Sequence, residues 1–538
     1  AQEIALRLTP LKDVYYTHDT TFDFNPKGHR ETNYVLLGIA FLILFIAGIN
    51  FTNLTTSLIP LRLKTINTHR VLGCSIYKLR AISLIESIVI CLISYILALF
   101  IVNDLSYTPI ANWVDADIRL SQYKGLILLT ALIAILTGCL AGLYPAIRST
   151  SYAPALVLKG SFGLSPKGKK VRVALIGFQY TVSIALIIVT LFMGLQNHFM
   201  TSSEQLGFNK DQVAIVNLTP EIYAKHKPQY IQKLKDYPGI EDVAFSVYEL
   251  SKEDDMIDLE YARHEDKDVF FKVFYASENF LSVMDIQVEE GRDFTREDLN
   301  KAQSDYIINP AAERDFHLHP GDRFNDRTVL GVSKDFRFNS CRIASSPFVF
   351  ALNNDIPNPK LVSYIRFNSK TNLQEAVAHV RETLKEIDPT FPFEISFYNT
   401  ILNNLYQKEQ TLGKLISLFG IMAILISIVG VFGLVLFETQ YRRKEIGIRK
   451  INGATTGQIL LMFNKTYIRI VSVCFIISIP IAWMGTQQWL ENFAYKTPLH
   501  LWVFIVAFLI ILSVTIGTVT FRNWQAANEN PVNSVKSE

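Results

Sequence analysis

The chain has 538 residues, 52 Lys and Arg against 49 Asp and Glu for a net charge of +3, and a mean hydropathy of +0.22. Charged residues make up 19% and hydrophobic ones 49%, which excludes a disordered chain and argues against a wholly soluble one. Five cysteines are too few for a disulfide scaffold of this length, and a charge so near neutral gives no electrostatic grip on nucleic acid.

In chain order, the apolar residues fall in blocks. A helix crossing a bilayer needs about 20 mostly apolar residues, because lipid offers a bare backbone no hydrogen bonds. Seven stretches qualify, near 34–58, 81–102, 125–147, 173–195, 412–437, 467–487 and 499–520. Glu86, Lys414, Arg469 and His500 lie close to span ends, and Tyr34, Trp483, Trp489 and Trp502 sit where an interfacial aromatic belt falls. The predicted fold class is a polytopic α-helical membrane protein of seven spans with a large α+β extracytoplasmic domain.

Loop charge sets the orientation. Segment 59–80 carries Arg62, Lys64, Arg70, Lys78 and Arg80 without a carboxylate, and 148–172 carries Arg148, Lys159, Lys167, Lys169, Lys170 and Arg172. Segment 438–466 holds six basic residues against Glu438 and Glu445, whereas 103–124 leans acidic. The three basic loops fall on one face, which is predicted to be cytoplasmic, together with the C-terminal tail. Residues 1–33 and 196–411 are then outside. An outside start at AQEIALRLTP leads to the expectation of a fragment lacking an upstream helix and extracytoplasmic region, with a processed mature protein as the alternative.

Within 196–411, VAIVNL (213–218), VFFKVFYA (269–276), TVLGVS (328–333), LVSYIRF (361–367) and FEISFY (393–398) read as strands. Residues 227–236, 278–285 and 371–386 read as helices, the last with Thr371 as its N-cap. The flanks 196–206 and 400–411 are polar but helix-compatible and run into membrane helices as stalks.

Candidate chemistry in this domain is thin. His317 and His319 lack an acidic or Cys partner at ligand spacing and read as a turn before Pro320-Gly321. Glu253, Asp254 and Asp255 lack the alternating oxygens of a calcium loop. Gly163 to Lys169 approaches a phosphate-binding loop, but Lys170 stands where Ser or Thr would hold magnesium and no strand precedes it. A positive-inside loop is the better reading. No catalytic residue, metal site or bound cofactor is assigned, and no enzyme is predicted.

An internal repeat carries more information. RLKTINTHRVLGCS (62–75) aligns without gaps to RRKEIGIRKINGAT (442–455), matching Lys64 to Lys444, Ile66 to Ile446, Arg70 to Lys450 and Gly73 to Gly453. APALVLKG (153–160) and NPVNSVKS (530–537) close the two halves. The second loop is amphipathic, with Ile446, Ile448 and Ile451 among Lys444, Arg449 and Lys450, and Gly453 suits a C-cap. It fits a groove on a soluble partner or an anionic lipid surface; Glu445, which lipid anchoring does not require, favours a protein.

RRKEIGIRKINGAT resembles the loop of FtsX-like, MacB-type ABC transporter permeases. INFTNLTTS (49–57), GLYPA (142–146), LKG (158–160), EEGRDF (289–294), GVSKDFRFNS (331–340) and NPVNSVKSE (530–538) agree with it. The last two are similar to twice-repeated Bacteroidota forms. The resemblance implies that 1–33 ends a truncated first periplasmic domain and that 34–160 is the first FtsX-like unit of three spans. It likewise implies a basic linker and span at 161–195, a MacB-type periplasmic core domain with stalks at 196–411, and a second FtsX-like unit with cytoplasmic tail at 412–538. It also implies a separate cytoplasmic ABC ATPase that holds the ATP and magnesium, a permease homodimer or heterodimer, a periplasmic adaptor, and an inner-membrane location. By position, the ATPase-coupling residues would be Lys444, Glu445, Ile446, Gly447, Ile448, Arg449, Lys450 and Gly453. Lys64, Ile66, Arg70 and Gly73 form a degraded counterpart, with Thr65, Asn67 and His69 replacing Glu, Gly and Arg. The implied function is a permease relaying ATP-driven motion to its periplasmic domains for export or extraction; the alternative is a regulatory scaffold controlling an extracytoplasmic partner.

Overall fold

The computed structural model describes residues 10–16, 30–108, 111, 113, 119–151, 166–202, 206–251, 258–265, 267–301, 303–352 and 361–528. The chain divides into two compact units, a membrane unit of 1–193, 411–488 and 499–538, and a sheet unit of 194–410 and 489–498. The sequence reading left 489–498 with the closing membrane helices; here it belongs to the sheet unit.

After a single helical turn at Leu11–Val14 come helices α1 (Arg30–Ser57), α2 (Ile59–Val71), α3 (Ile76–Leu105), α4 (Lys124–Thr150) and α5 (Pro166–Thr201). Helices α3 and α4 pack through small residues: a Cβ on Gly142 would stand 2.6 Å from the Ser87 side chain, and one on Gly138 3.0 Å from the Ile88 backbone. Such four-residue spacing of glycines lets two helices approach closely in lipid. Pro145 lies inside α4 and cannot donate to the Ala141 carbonyl one turn back. The Thr52 hydroxyl of α1 lies 2.9 Å from that carbonyl oxygen and 2.9 Å from the Gly48 carbonyl of its own helix, so its one proton is shared between the two acceptors.

The sheet unit follows. Its strands are β1 (Val213–Leu218), β2 (Ile240–Ser246), β3 (Asp258–His264), β4 (Lys267–Ala276), β5 (Val288–Gly291), β6 (Tyr306–Ile308), β7 (Arg323–Phe324), β8 (Arg327–Ser333), β9 (Phe348–Leu352), β10 (Leu361–Phe367) and β11 (Ile395–Phe397). Its helices are α6 (Pro220–Lys235), α7 (Phe280–Met284), α8 (Pro310–Phe316), α9 (Leu373–Ile387) and α10 (Tyr398–Leu405). The sheet is mixed, in the order β11-β1-β10-β2-β4-β9-β6-β8-β5, with β3 paired to β4 and β7 to β8. Both faces of β1 are covered. Val213 and Ile215 join an aromatic cluster with Phe274, Phe348 and Phe350, while Ala214 and Val216 pack against Tyr230 and Leu234 of α6 and Val380 and Leu384 of α9. Two-sided burial explains the nearly continuous apolar run of VAIVNL. The N-cap of α9 is Asn372, whose side chain accepts from the Gln374 N–H, and not Thr371, which instead donates its hydroxyl to the Gly239 carbonyl.

The membrane unit closes with α11 (Gln407–Tyr441), α12 (Arg443–Ile451), α13 (Thr456–Leu490) and α14 (Leu501–Asn528). Seven described helices, α1, α3, α4, α5, α11, α13 and α14, are long and apolar enough to cross a membrane. The most enclosed is α5, with 61% of its apolar stretch buried against 6% for α3. Hydroxyl contacts hold it: Ser183 to Ser427 of α11 at 2.9 Å, and the Thr515 hydroxyl of α14 to Tyr180 at 3.0 Å. Asn50 of α1 donates to the Ile426 carbonyl at 2.9 Å. Glu86 does not face the bilayer core alone; Arg62 of α2 meets it at 2.7 Å.

The EEGRDF stretch has a structural use. Asp298 is buried and receives both Arg292 guanidinium arms at 2.7 and 2.9 Å, with the Thr295 N–H and hydroxyl at 2.9 and 2.8 Å. The Arg292 hydrogen bonds, joined by those of Thr295 and Lys301, outweigh burial and hold the carboxyl well below the usual carboxylate range. A depressed folded pKa stabilises above the unfolded value of about 3.9 and is lost as pH falls through the folded one. Asp298→Asn is therefore expected to destabilise the sheet unit by about 2 kcal/mol at neutral pH. The gap to wild type should narrow below about pH 4, as read from thermal unfolding of the detergent-solubilised chain across pH.

Candidate functional site

The repeated basic loop folds as a helix ended by a tight turn. In α12 the Gly453 N–H donates to the Lys450 carbonyl at 3.0 Å and the Ala454 N–H to the Arg449 carbonyl at 2.9 Å, with Gly453 at φ +90°. This pair of bonds is a Schellman motif, and its left-handed position is why glycine stands there. The earlier copy repeats it. Gly73 donates to Arg70 at 3.1 Å and Cys74 to His69 at 2.9 Å, with Gly73 at φ +92°. Each turn feeds the next membrane helix through a hydroxyl cap, Ser75 accepting from the Lys78 N–H and Thr455 from the Gln458 N–H, both at 3.3 Å.

The three isoleucines of α12 do not share a face. Ile446 is 4% exposed and turned into the membrane unit beside buried Gly447, whereas Ile448 and Ile451 are 54% and 65% exposed, three residues apart on the outer side. Glu445 accepts from Arg449 at 2.8 Å and lies 3.9 Å from Arg442, which itself meets Glu438 at 3.0 Å. The alternating charges at 438, 442, 445 and 449 follow helical spacing. That ladder was legible in the sequence, yet Glu438 and Arg442 were not among the expected site residues. Glu438 also accepts from the Tyr467 hydroxyl of α13 at 3.3 Å, tying the ladder to the membrane helices. Lys450 is partly exposed, and the side chain of Lys444 lies outside the described residues, as does that of Lys64.

The counterpart α2 keeps the shape and changes the chemistry. Ile66 takes the place of Ile446, while Asn67, 3% exposed in place of Gly447, donates to the Leu63 carbonyl at 2.9 Å. Thr65 and His69 are exposed where the second copy has Glu445 and Arg449. Val71 and Leu72 are 67% and 78% exposed. Arg70 reaches the Thr150 carbonyl at 3.3 Å and Arg80 the Thr150 hydroxyl at 2.9 Å, which fastens this copy to the end of α4.

Other sequence candidates fall elsewhere. Glu253 to Asp255, 153–160, 530–537 and Gly163 to Ser165 lie outside the described residues, while Pro166 onward opens α5. His319 lies with Glu313 and Glu290, their ligand atoms within 4.8 Å of one another, and His317 does not join them. Glu290 comes from β5, so no sequence spacing could have revealed the group. Its members are exposed or partly exposed, and His319 Nδ1 lies 3.5 Å from the Glu313 carboxylate.

Comparison with known proteins bears on both copies. The sequence model of the FtsX-like permease C-terminal family matches residues 37–154 and again 417–531. The macrolide export ATP-binding/permease protein MacB of Aggregatibacter actinomycetemcomitans is 25% identical over 212 residues, 37% of this chain and 32% of that protein. MacB of Neisseria gonorrhoeae is 25% identical over 223 residues, 39% of this chain and 34% of its own. The chain thus spans about a third of the length of these relatives. The periplasmic region of MacB from Actinobacillus actinomycetemcomitans aligns with 37% of this chain and 94% of its own, at 15% identity and a TM-score of 0.28. The extracellular domain of the transporter YknZ aligns with 34% and 99%, at 17% identity and 0.26. Both three-helix repeats match the one FtsX-like permease family model, and the stretches of the chain that align with curated proteins are similar to MacB.

Proposed function

We propose that this chain is the membrane subunit of an ABC transporter, worked from the cytoplasm by a separate ATPase and acting on its substrate beyond the bilayer through the sheet unit. The observation that carries the reading is the outer face of α12. Ile448 and Ile451 stand in the open on a helix whose base is fixed by Ile446 and whose charges are already ordered by the ladder around Glu445. Apolar anchors at helical spacing with ordered charges beside them suit a groove on a folded protein. A lipid surface asks only for cations. Positive-inside loop charge supports putting α2 and α12 on the cytoplasmic side. The relatives' names join ATP binding to permease activity, and this chain would supply the permease part. ATP and magnesium would then be held by the partner.

On this reading α12 does most of the docking. The earlier copy lacks the Glu445–Arg449 pair, and its Arg70 and Arg80 are turned to Thr150. An asymmetric pair of contacts with the ATPase follows.

The reading is tested by purifying the chain with its cognate ABC ATPase in detergent or nanodiscs. Ile448→Glu with Ile451→Glu is expected to weaken copurification by about 10-fold or more, the loss of an anchor of at least about 1.4 kcal/mol. Arg449→Glu with Lys450→Glu should do likewise. Undiminished capture and ATPase stimulation in both variants, or ATP turnover by the chain alone, would overturn the proposal.

The turn gives a second test. Gly453→Val forces a branched side chain into the left-handed region at a cost of about 1–2 kcal/mol. Its expected effect is fraying of the end of α12 and reduced ATPase stimulation, while Gly73→Val, equally strained, affects stimulation less. Equal losses would contradict the assigned asymmetry.

A further inference from the structure

The GVSKDFRFNS stretch is not used by the docking face, and it ends beside a loop from the other end of the chain. Residues 489–498 join α13 to α14, yet they are part of the sheet unit. Four sets of contacts hold them there. Gln196, fully buried near the end of α5, donates its amide to the Tyr495 carbonyl at 3.1 Å and accepts from the Thr497 N–H at 2.8 Å. The Tyr495 N–H donates to the Cys341 carbonyl at 3.1 Å, and the Ser345 N–H donates to the Tyr495 hydroxyl at 3.2 Å. The Arg337 guanidinium lies 4.0 Å from the centre of the Tyr495 ring and 5.4 Å from that of Phe199. Arg342 stands 4.7 Å over Phe493 while its Nε donates to Glu409, at the start of α11, at 2.7 Å.

Beneath these polar contacts Met200, Cys341, Tyr406 and Phe493 form a buried apolar cluster, with Trp489 and Tyr495 against it. The Tyr406 hydroxyl accepts from the Cys341 N–H and reaches its Sγ, each at 3.2 Å. One short segment, 337–345, therefore gathers the end of α5, the start of α11 and the α13–α14 loop into a single packed junction. A loop that only turned a membrane hairpin would need none of this. Guanidinium groups stacked on rings and a buried side-chain amide clamped on two backbone groups fix position as well as proximity.

We propose that the 489–498 loop is a third mechanical connection between the membrane helices and the sheet unit, with Gln196, Arg337 and Arg342 as its positioning residues. The inference rests on the relay reading above and adds to it. The sheet unit is joined by chain continuity to α5 and α11, and through this junction it also takes up displacement of the α13–α14 hairpin. Arg337 and Arg342 act on the loop; they touch no substrate and do not bear on the α12 face.

The test uses the full chain with its ATPase in nanodiscs and two readouts, hydrogen exchange of 489–498 and the ATP-driven change in exchange across the sheet unit. Arg337→Gln with Arg342→Gln is expected to speed exchange of the loop by about 10-fold and to cut the ATP-driven change in the sheet unit, with ATPase copurification unaltered. Arg342→Gln alone, the milder variant, serves should the double variant fold poorly, and Arg337→Lys should restore part of the coupling. A loop freed in these variants while the ATP-driven change stays at the wild-type level overturns the third connection and leaves the relay intact. A loop that exchanges as fast in wild type as in the variants also overturns it. A wild-type chain with a protected loop but no ATP-driven change overturns the relay reading, and the connection falls with it.

Discussion

A carbonyl oxygen inside a bilayer has no solvent to turn to, and much of the membrane unit is arranged around that fact. Pro145 frees the Ala141 carbonyl, and Thr52 from another helix reaches it at 2.9 Å. Asn50 reaches the Ile426 carbonyl, and Ser183 and Ser427 satisfy one another. Each bond links segments far apart in the chain. Together they join the first three-helix repeat and α5 to the second, without the hydrophobic driving force that assembles the sheet unit. There, by contrast, aromatic side chains such as Phe274, Phe348 and Phe350 fill the space between sheet and helices.

The two repeats show which features a duplicated unit keeps. The turn at Gly73 and Gly453 is the same to within a few degrees of φ and a few tenths of an ångström in its hydrogen bonds. That geometry is demanded by the change of direction from a surface helix into a membrane helix. The side chains on the preceding helix face no such demand, and they have diverged: an acid–base ladder in α12, and in α2 the single cation Arg70 turned to the Thr150 carbonyl. Shape has been held by the backbone and chemistry left free to specialise.

Much of this was readable from the sequence where one physical rule dominates. Membrane spans came through because twenty apolar residues have few other uses, whereas the need of Pro145 for a donor from another helix was not read from GLYPA. Strands β1, β8 and β10 stood out by their β-branched and aromatic runs, whereas β6 and β9, at YII and FVFAL, are too short to separate from any buried segment. Helix α6 begins at Pro220, well before the expected 227, because Pro220 occupies its first turn and Pro228 is tolerated inside it. Which isoleucine of α12 turns inward could not be read from nine residues with apolar positions on both sides. The junction at 489–498 was the least legible, since Arg337 and Tyr495 are joined by a contact that no local pattern encodes.

Gln179 of α5 is the odd member of the membrane interior. It is 2% exposed, and neither its carbonyl oxygen nor its amide nitrogen has a partner among the described residues. It points where the missing side chain of Gly430 would be, next to the unbonded oxygen of Asn50. Protein engineers who select this chain for heat resistance in detergent should find leucine arriving at position 179 early, because an unsatisfied buried amide is expensive and its removal is not. The hardened protein would also have lost a polar side chain from the place where α1, α5 and α11 meet, and with it an inducement for those three helices to seek another alignment.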